Sequence, residues 1–418
     1  MKKFRAAAAA VFLICMTAGC AGRPAKTEEP IILRVLAGQS TSDAGVEDMI
    51  DEWMEEHYPE VTLEWECVDW GDRFSAQIRG RIAAGDLPDI VIGKAQDVQA
   101  YAGSGNLGTF PESCSAQIDE QALRSVLVNG EVYGLPYNAW YQGVLYNKKL
   151  FRELGLTAPV TMKEMEALIK RLEEEGITPF ASHFQESWSV ANMTMQHMMN
   201  EVFLEEPDWG DRFREGEVDF QGNEKIRHCF EENEMILQAS WEDALRVDQY
   251  ESDSRFIQGE AAMYLTGSWS MQFVNQYGAD MEFGIFPWPN ESGDAKLIRE
   301  TNMTFMKSAE TSYGGLIDDI LRDLLADEAL AQEILDFTQS SPVVKEPVEG
   351  LSNKLQEDID RYENGGQVVD VTIGNVQLVW NFQNAVAAEQ QLWLKKEMPL
   401  DAVLAYADEH REDSSYSR

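Results

Sequence analysis

Cations are scarce in this chain. Of 418 residues, 34 are Lys or Arg and 73 are Asp or Glu, for a formal net charge of −39. That shortage excludes a phosphate-backbone binder, whose affinity rests on Lys and Arg, and so excludes nucleic acid as a partner. It also excludes docking on anionic lipid through a basic face. The acidic residues are spread along the chain rather than gathered in a tail, so they read as a solvated, soluble surface. Cysteine is scarce too. Cys15, Cys20, Cys67, Cys114 and Cys229 are the whole set, and none is in C-x-x-C spacing, so neither a disulfide framework nor a zinc site is implied. One disulfide among the last three is possible but not expected. The five histidines are scattered. No G-x-S-x-G, H-E-x-x-H or Walker sequence occurs, so the motifs nominate no catalytic residue, no metal ligand and no cofactor. Residues 103–108 match G-x-G-x-x-G, but they follow a helical stretch from Gln96 to Ala102 rather than a strand. A helix C-cap and turn explains them better than a dinucleotide site.

Long apolar runs are also missing, except at the start. Lys2, Lys3 and Arg5 precede an unbroken apolar stretch from Ala6 to Met16. This is too short to span a bilayer as an ordinary helix and suits a signal-peptide core. Thr17-Ala18-Gly19-Cys20 follows, and it resembles the bacterial lipobox. The resemblance implies removal of residues 1–19 and lipidation of Cys20, which would tie the chain to a lipid bilayer. Residues 20–30 then form a short polar tether.

What is present is globular. Hydrophobic residues make up 44% of the chain, and the length suits two or three domains. Ile31 to Ala37 is a β-branched and leucine run, read as a buried strand. Apolar residues at 3–4 spacing from Val46 to Met54 predict a helix over 45–58. Val61, Leu63, Trp65 and Cys67 alternate with polar residues as a strand; Phe74, Ile78 and Ile82 mark a helix ended by Gly85, and Asp89 to Ile92 is a third strand. This alternation predicts an α/β fold with parallel strands and crossover helices. Later, Met162 to Leu172 forms a helical stripe, Asn223 caps a helix running to Gln238, and Ala262–Leu265 and Phe283–Phe286 read as strands. Helices are predicted over Asp327–Thr338 and Pro399–Arg411. DWGDRF occurs at 69–74 and again at 208–213 in unrelated flanks, and reads as two turn-plus-cap segments rather than a duplication.

Eleven tryptophans are present, several beside polar or small residues: Trp140, Trp188 after Glu186, Trp269 after Gly267-Ser268, and Trp380 before Asn381. A sugar offers an apolar C–H face and a rim of hydroxyls; indole covers the face while Asp, Glu, Asn and Gln bind the rim. Core packing competes with ligand contact at each tryptophan taken singly, and the four together favour ligand. Paired carboxylates, which a glycosidase would need, are too numerous in so acidic a chain to point anywhere.

A set of motifs then follows in order. These are Gly85-Asp86-Leu87-Pro88-Asp89-Ile90; Tyr101-Ala102 with Gly105 and Leu107; Tyr133-Gly134-Leu135-Pro136-Tyr137; Leu145-Tyr146-Asn147-Lys148; Leu154-Gly155-Leu156; and Pro159-x-Thr161. The most specific block is Phe256 with Gly259-Glu260-Ala261-Ala262-Met263 and Gly267-Ser268-Trp269. Over roughly 31–411 the chain resembles the carbohydrate-binding, extracellular solute-binding proteins of ABC importers, the family that includes maltose-binding protein. The resemblance implies a two-lobed, type II periplasmic-binding-protein-like α/β fold joined by a hinge. Lobe one would be 30–137 and 290–338, lobe two 138–289 and 339–411, with 412–418 a tail. The same resemblance implies ligand contacts at Asp97, Trp140, Glu186, Trp188, Trp269 and Trp380, and places Gln39 and Ser40 in the first strand-end loop, where parallel α/β sheets hold ligands. The implied protein is a monomeric receptor on the outer face of the bacterial cytoplasmic membrane. It would pass a sugar or oligosaccharide to permease subunits and would not be an enzyme. A secreted carbohydrate-active enzyme, and the same fold with a peptide, polyamine or metal-chelate cargo, stay open.

Overall fold

The computed structural model describes residues 30–39, 44–70, 72–273, 281–346 and 348–415. The expected signal segment, Cys20 and Ser40 lie outside them. Strands β1 (Ile31–Gln39), β2 (Val61–Asp69) and β3 (Ile90–Gly93) alternate with helices α1 (Val46–His57) and α2 (Asp72–Ala84). The three strands are parallel, in the order β2–β1–β3, because each crossover helix returns the chain to the same end of the sheet. α1 buries Val46, Ile50, Trp53 and Met54. Just past α2, Gly85 takes a φ of 64°, a left-handed turn that favours glycine. Helix α3 (Ala95–Tyr101) opens directly after β3. The G-x-G-x-x-G match falls on a short 3₁₀ turn ended by Gly105 at φ 76°, as the C-cap reading requires.

The remaining strands are β4 (Leu107–Gly108), β5 (Leu127–Val128), β6 (Glu131–Val132), β7 (Leu135–Asn147), β8 (Thr178–Ala181), β9 (Ala261–Gly267), β10 (Phe283–Phe286), β11 (Leu297–Ser308), β12 (Ser341–Pro342) and β13 (Val368–Asp370). Among the described residues, eleven strands form one mixed sheet whose main path is β2–β1–β3–β11–β7–β9–β8. β11 runs antiparallel to β3 and β7; β7 runs antiparallel to β9, which lies parallel to β8.

Two long strands tie two cores together. β7 begins with Leu135, Tyr137 and Ala139 in the core around Leu33, Val35 and Ile92. It continues to Val144, in the larger core around Phe180, Met263 and Trp288. β11 runs the opposite way, from Ile298 in the larger core to Met303 and Phe305 in the first. Capping follows the sequence. Asn223 accepts from the Ile226 N–H at 3.2 Å to open the helix Glu224–Gln238, and Thr161 and Glu164 form a reciprocal capping box. Both DWGDRF copies lie at helix starts, but Trp70 is half-buried whereas Trp209 is fully buried and stacks on Phe213. Among the described residues no helix is long and apolar enough to cross a membrane, and Cys67, Cys114 and Cys229 are unpaired.

Candidate functional site

Side chains alternate faces along a strand, and that separates two surfaces of the strands joining the cores. Trp140 lies opposite Glu300, and Asn138 opposite Asn302, so these four and Gln142 share one face. The ends of β1, β2 and β3 border that face on one side; β9 and the helix Ser187–Met198 border it on the other. A small cavity of about 50 Å³ at the first of these sides is lined by Gly38, Gln39, Trp70, Asn138, Trp140 and Asn302 among others.

Two indoles each rest on a glycine. A Cβ on Gly38 would lie 2.1 Å from the Trp70 ring, and one on Gly267 would lie 2.0 Å from the Trp269 ring. Gly267 has φ −131°, an ordinary extended value, so it is the approach of the ring that demands glycine there. Trp269 meets Trp140 edge-to-face at 5.9 Å. The Lys94 ammonium lies 5.2 Å from the Trp70 ring centroid.

A polar chain runs beneath the rings. Lys94 Nζ pairs with Glu300 Oε1 at 2.5 Å, and Gln142 Nε2 donates to Glu300 Oε2 at 2.6 Å. Asn192 donates to Gln142 at 3.0 Å, and Gln196 to Asn192 at 2.9 Å. Trp70 Nε1, Trp140 Nε1, Asn138 Oδ1 and Asn302 Oδ1 are buried with no hydrogen-bond partner among the described residues. Burying such atoms unpaired costs about 1–3 kcal/mol each. Two donors and two acceptors on residues lining one cavity, beside aromatic faces, match a ligand with an apolar face and hydroxyls.

The structure brings some of the sequence-nominated residues to this cavity and leaves others apart. Gln39 ends β1 and donates to Glu47 at 2.5 Å. Trp140 is buried, and Trp269 is half-buried beside it. Asp97 is buried on α3 and accepts from the Lys94 backbone N–H at 2.8 Å, so its carboxylate caps the helix; burial pushes that carboxyl up to about 6. Glu186 and Trp188 sit together at the start of the helix Ser187–Met198, near His183. Burial alone would raise Glu186, but His183, Trp188 and the Gln249 N–H outweigh it and hold the carboxyl below its ordinary range. Trp380 opens the helix Trp380–Leu394 and packs on the larger core, not on the Trp140–Trp269 pair. Trp70, Lys94, Asn138, Gln142, Glu300 and Asn302 were not nominated. Only Trp70 carried a signal, its place at the carboxyl end of a parallel strand, and the repeated DWGDRF masked it. Asn375, on the helix Thr372–Gln377, donates to Gln96 of α3 at 2.9 Å. Among the described residues no group of three or more His, Cys, Asp or Glu could hold a metal ion.

Two α/β cores are thus joined by shared strands, with aromatic and amide side chains at the junction. Residues 37–343 match the model of the bacterial extracellular solute-binding protein family, and the chain belongs to that family. It is 22% identical over 347 residues to the multiple sugar-binding protein of Streptococcus mutans, covering 79% of each chain. In fold it is similar to a chitin oligosaccharide binding protein, with a TM-score of 0.77 and 17% identity over 93% of this chain and 99% of that one. A solute-binding protein in complex with raffinose gives a TM-score of 0.72 and 17% identity over 90% of this chain and all of that one. Membership places the protein outside the cytoplasm.

Proposed function

We propose that the chain captures a sugar or oligosaccharide and delivers it to the permease of an ABC importer, by stoichiometric binding without turnover. The observation that carries this reading is the pair of glycine-seated indoles, Trp70 on Gly38 and Trp269 on Gly267, set around unpaired buried donors and acceptors. Relatives named for multiple sugars, raffinose and chitin oligosaccharides support the same cargo class. The chain is further read as lipid-anchored through Cys20, monomeric, and divided into lobes of 30–137 with 290–338 and 138–289 with 339–411. The passage of β7 and β11 between the two cores supports a two-lobe division, with Ile298 packed in the second half and Val343 in the first. Met303, at φ 44°, lies where β11 enters the first core, and a non-glycine residue in that region stores strain of about 1–3 kcal/mol.

A thermal-shift and calorimetric screen against a glycan panel tests the proposal. Ligand at 100 times Kd should add about 2.7 kcal/mol of stability, with the sugar recovered intact. Release of cleaved sugar would favour an enzyme, and stabilisation by a polyamine or peptide alone would overturn the cargo class.

A further inference from the structure

The polar chain beneath the rings has a direction that its two ends fix. Asn192 and Gln196 lie four residues apart on the helix Ser187–Met198, so they share one face of it. Gln196 Nε2 donates to the Thr266 carbonyl at 3.2 Å. A carbonyl only accepts, so the Gln196 amide can be turned one way alone, and the same NH₂ donates to Asn192 Oδ1 at 2.9 Å. Asn192 is left to donate to Gln142 Oε1 at 3.0 Å, and Gln142 to donate to Glu300 Oε2 at 2.6 Å. Glu300 pairs through its other oxygen with Lys94 at 2.5 Å. All three amides are buried, and each passes the same donor direction to the next, so the bonds polarise one another.

The ends of the chain fall at the two indole seats. Thr266 immediately precedes Gly267, on which Trp269 rests. Lys94, at the other end, lies over the Trp70 ring, whose seat is Gly38. Trp140 stands between them as the register partner of Glu300. Packing does not call for this chain. Leucine at 192 and 196 would fill the space between helix and sheet without burying amides, and such burial is costly unless every partner is present.

We propose that Asn192 and Gln196 are positioning residues of the sugar site: acting through Gln142 and Glu300, they tie the strand end that seats Trp269 to the lysine that covers Trp70. This rests on the sugar-binding reading above. A ligand that meets both indoles gains most when their spacing is set before it arrives, because less side-chain freedom is lost on binding. Without Asn192 the Gln142 amide is free to turn, the Glu300 carboxylate is no longer held at one angle, and Lys94 follows it off the Trp70 ring.

The test follows the lysine ammonium NMR signals of the full mature chain without ligand, with Lys94→Met to identify the Lys94 signal. A paired, sheltered ammonium exchanges its protons slowly enough to be seen. Asn192→Leu should abolish that signal and weaken binding of the sugar returned by the glycan panel roughly ten-fold, the factor carried by one hydrogen bond to a charged group. Gln196→Leu, two links away from Glu300, should do the same. Glu300→Gln should also weaken binding, and adding Asn192→Leu to it should cost nothing further. Thr194→Val cuts a buried hydrogen bond to Gln390 on the same helix but outside the chain; it should lower the melting temperature and leave signal and affinity unchanged. An unchanged Lys94 signal in Asn192→Leu, or no such signal in the wild type, overturns the positioning role whether or not any sugar binds. So do additive losses in the double variant, a lower melting temperature for Asn192→Leu at unchanged affinity, and loss of the signal in Thr194→Val. A wild type that binds no glycan while Asn192→Leu still abolishes the signal overturns the sugar reading and spares the tie between the two seats.

Discussion

Gly267→Ala isolates the contribution of one indole to binding. The new methyl would sit 2.0 Å from the Trp269 ring, well inside van der Waals contact. With φ at −131°, alanine strains no backbone there, so the ring must leave. The indole stands to lose its edge-to-face contact with Trp140, worth about 0.5–1.5 kcal/mol. It also loses the apolar area it shares with the ligand, which at about 25 cal/mol per Å² amounts to roughly 1.5 kcal/mol for ~60 Å². Binding therefore weakens by about 1.5 kcal/mol, roughly ten-fold. Trp269 is only half-buried, so the melting temperature should move by roughly 2 °C or less. Calorimetry with the sugar returned by the glycan panel gives the affinity, and tryptophan emission reports whether the ring has moved. If the alanine acts only through the ring, the Gly267→Ala/Trp269→Ala double variant matches Trp269→Ala alone. Additive losses, or unchanged affinity with a shifted emission spectrum, would refute the stacking role. Gly38→Ala should act the same way through Trp70, whose ring would meet that methyl at 2.1 Å.

Burial raises the Asp253 carboxyl from 3.8 to about 8, against opposing contacts from Ser270, Tyr264 and Gln249. A folded value above the unfolded one means that its stabilising contribution is complete below about pH 3.8 and is lost as pH rises through about 8. From pH 5 to 8 the wild type should thus lose stability relative to Asp253→Asn, on the order of a few kcal/mol; parallel melting-temperature profiles would contradict this. Cys20→Ser should abolish acylation and leave a precursor or a released protein, because stable membrane residence needs more than one acyl chain; a Cys20→Ser protein that mass spectrometry still finds acylated at its N-terminus would refute the anchor.

The parallel half of the sheet was legible because buried parallel strands are written as apolar runs: Ile31–Ala37 and Asp89–Ile92 stand out between a helix stripe and a glycine stop. β7 and β11 were not legible. Every residue of β11 is buried, yet Arg299, Glu300, Thr301 and Asn302 run consecutively, so no period of two in hydropathy marks a strand. Their partners are remote in sequence: Lys94 meets Glu300 across 206 residues and Arg299 meets Asp119 across 180. Trp269 could be nominated because Gly267 and a short apolar strand precede it. Trp70 could not, because the hexapeptide that contains it occurs twice, and its twin Trp209 is packed among Phe203, Phe213 and Phe220. One local sequence served a cleft wall and a core alike, so the segment alone held nothing to tell the two apart.

The polar character of β11 has a physical reason that fold stability does not supply. Taking charges out of water costs several kcal/mol per ion, and an apolar pair of similar volume is often as stable or more so. Glu300 and Arg299 are adjacent, both buried, and point to opposite faces of one strand. Each is compensated by its own partner, Lys94 in front and Asp119 behind. Removing either partner leaves an unmatched buried charge, which is the costly case. Each of these adjacent charges thus has a partner attached to the first core, while Gln142 also donates to Glu300. A receptor that must grip and release needs discrete positions, and the alternation of Arg299 and Glu300 supplies a contact to define one from each side.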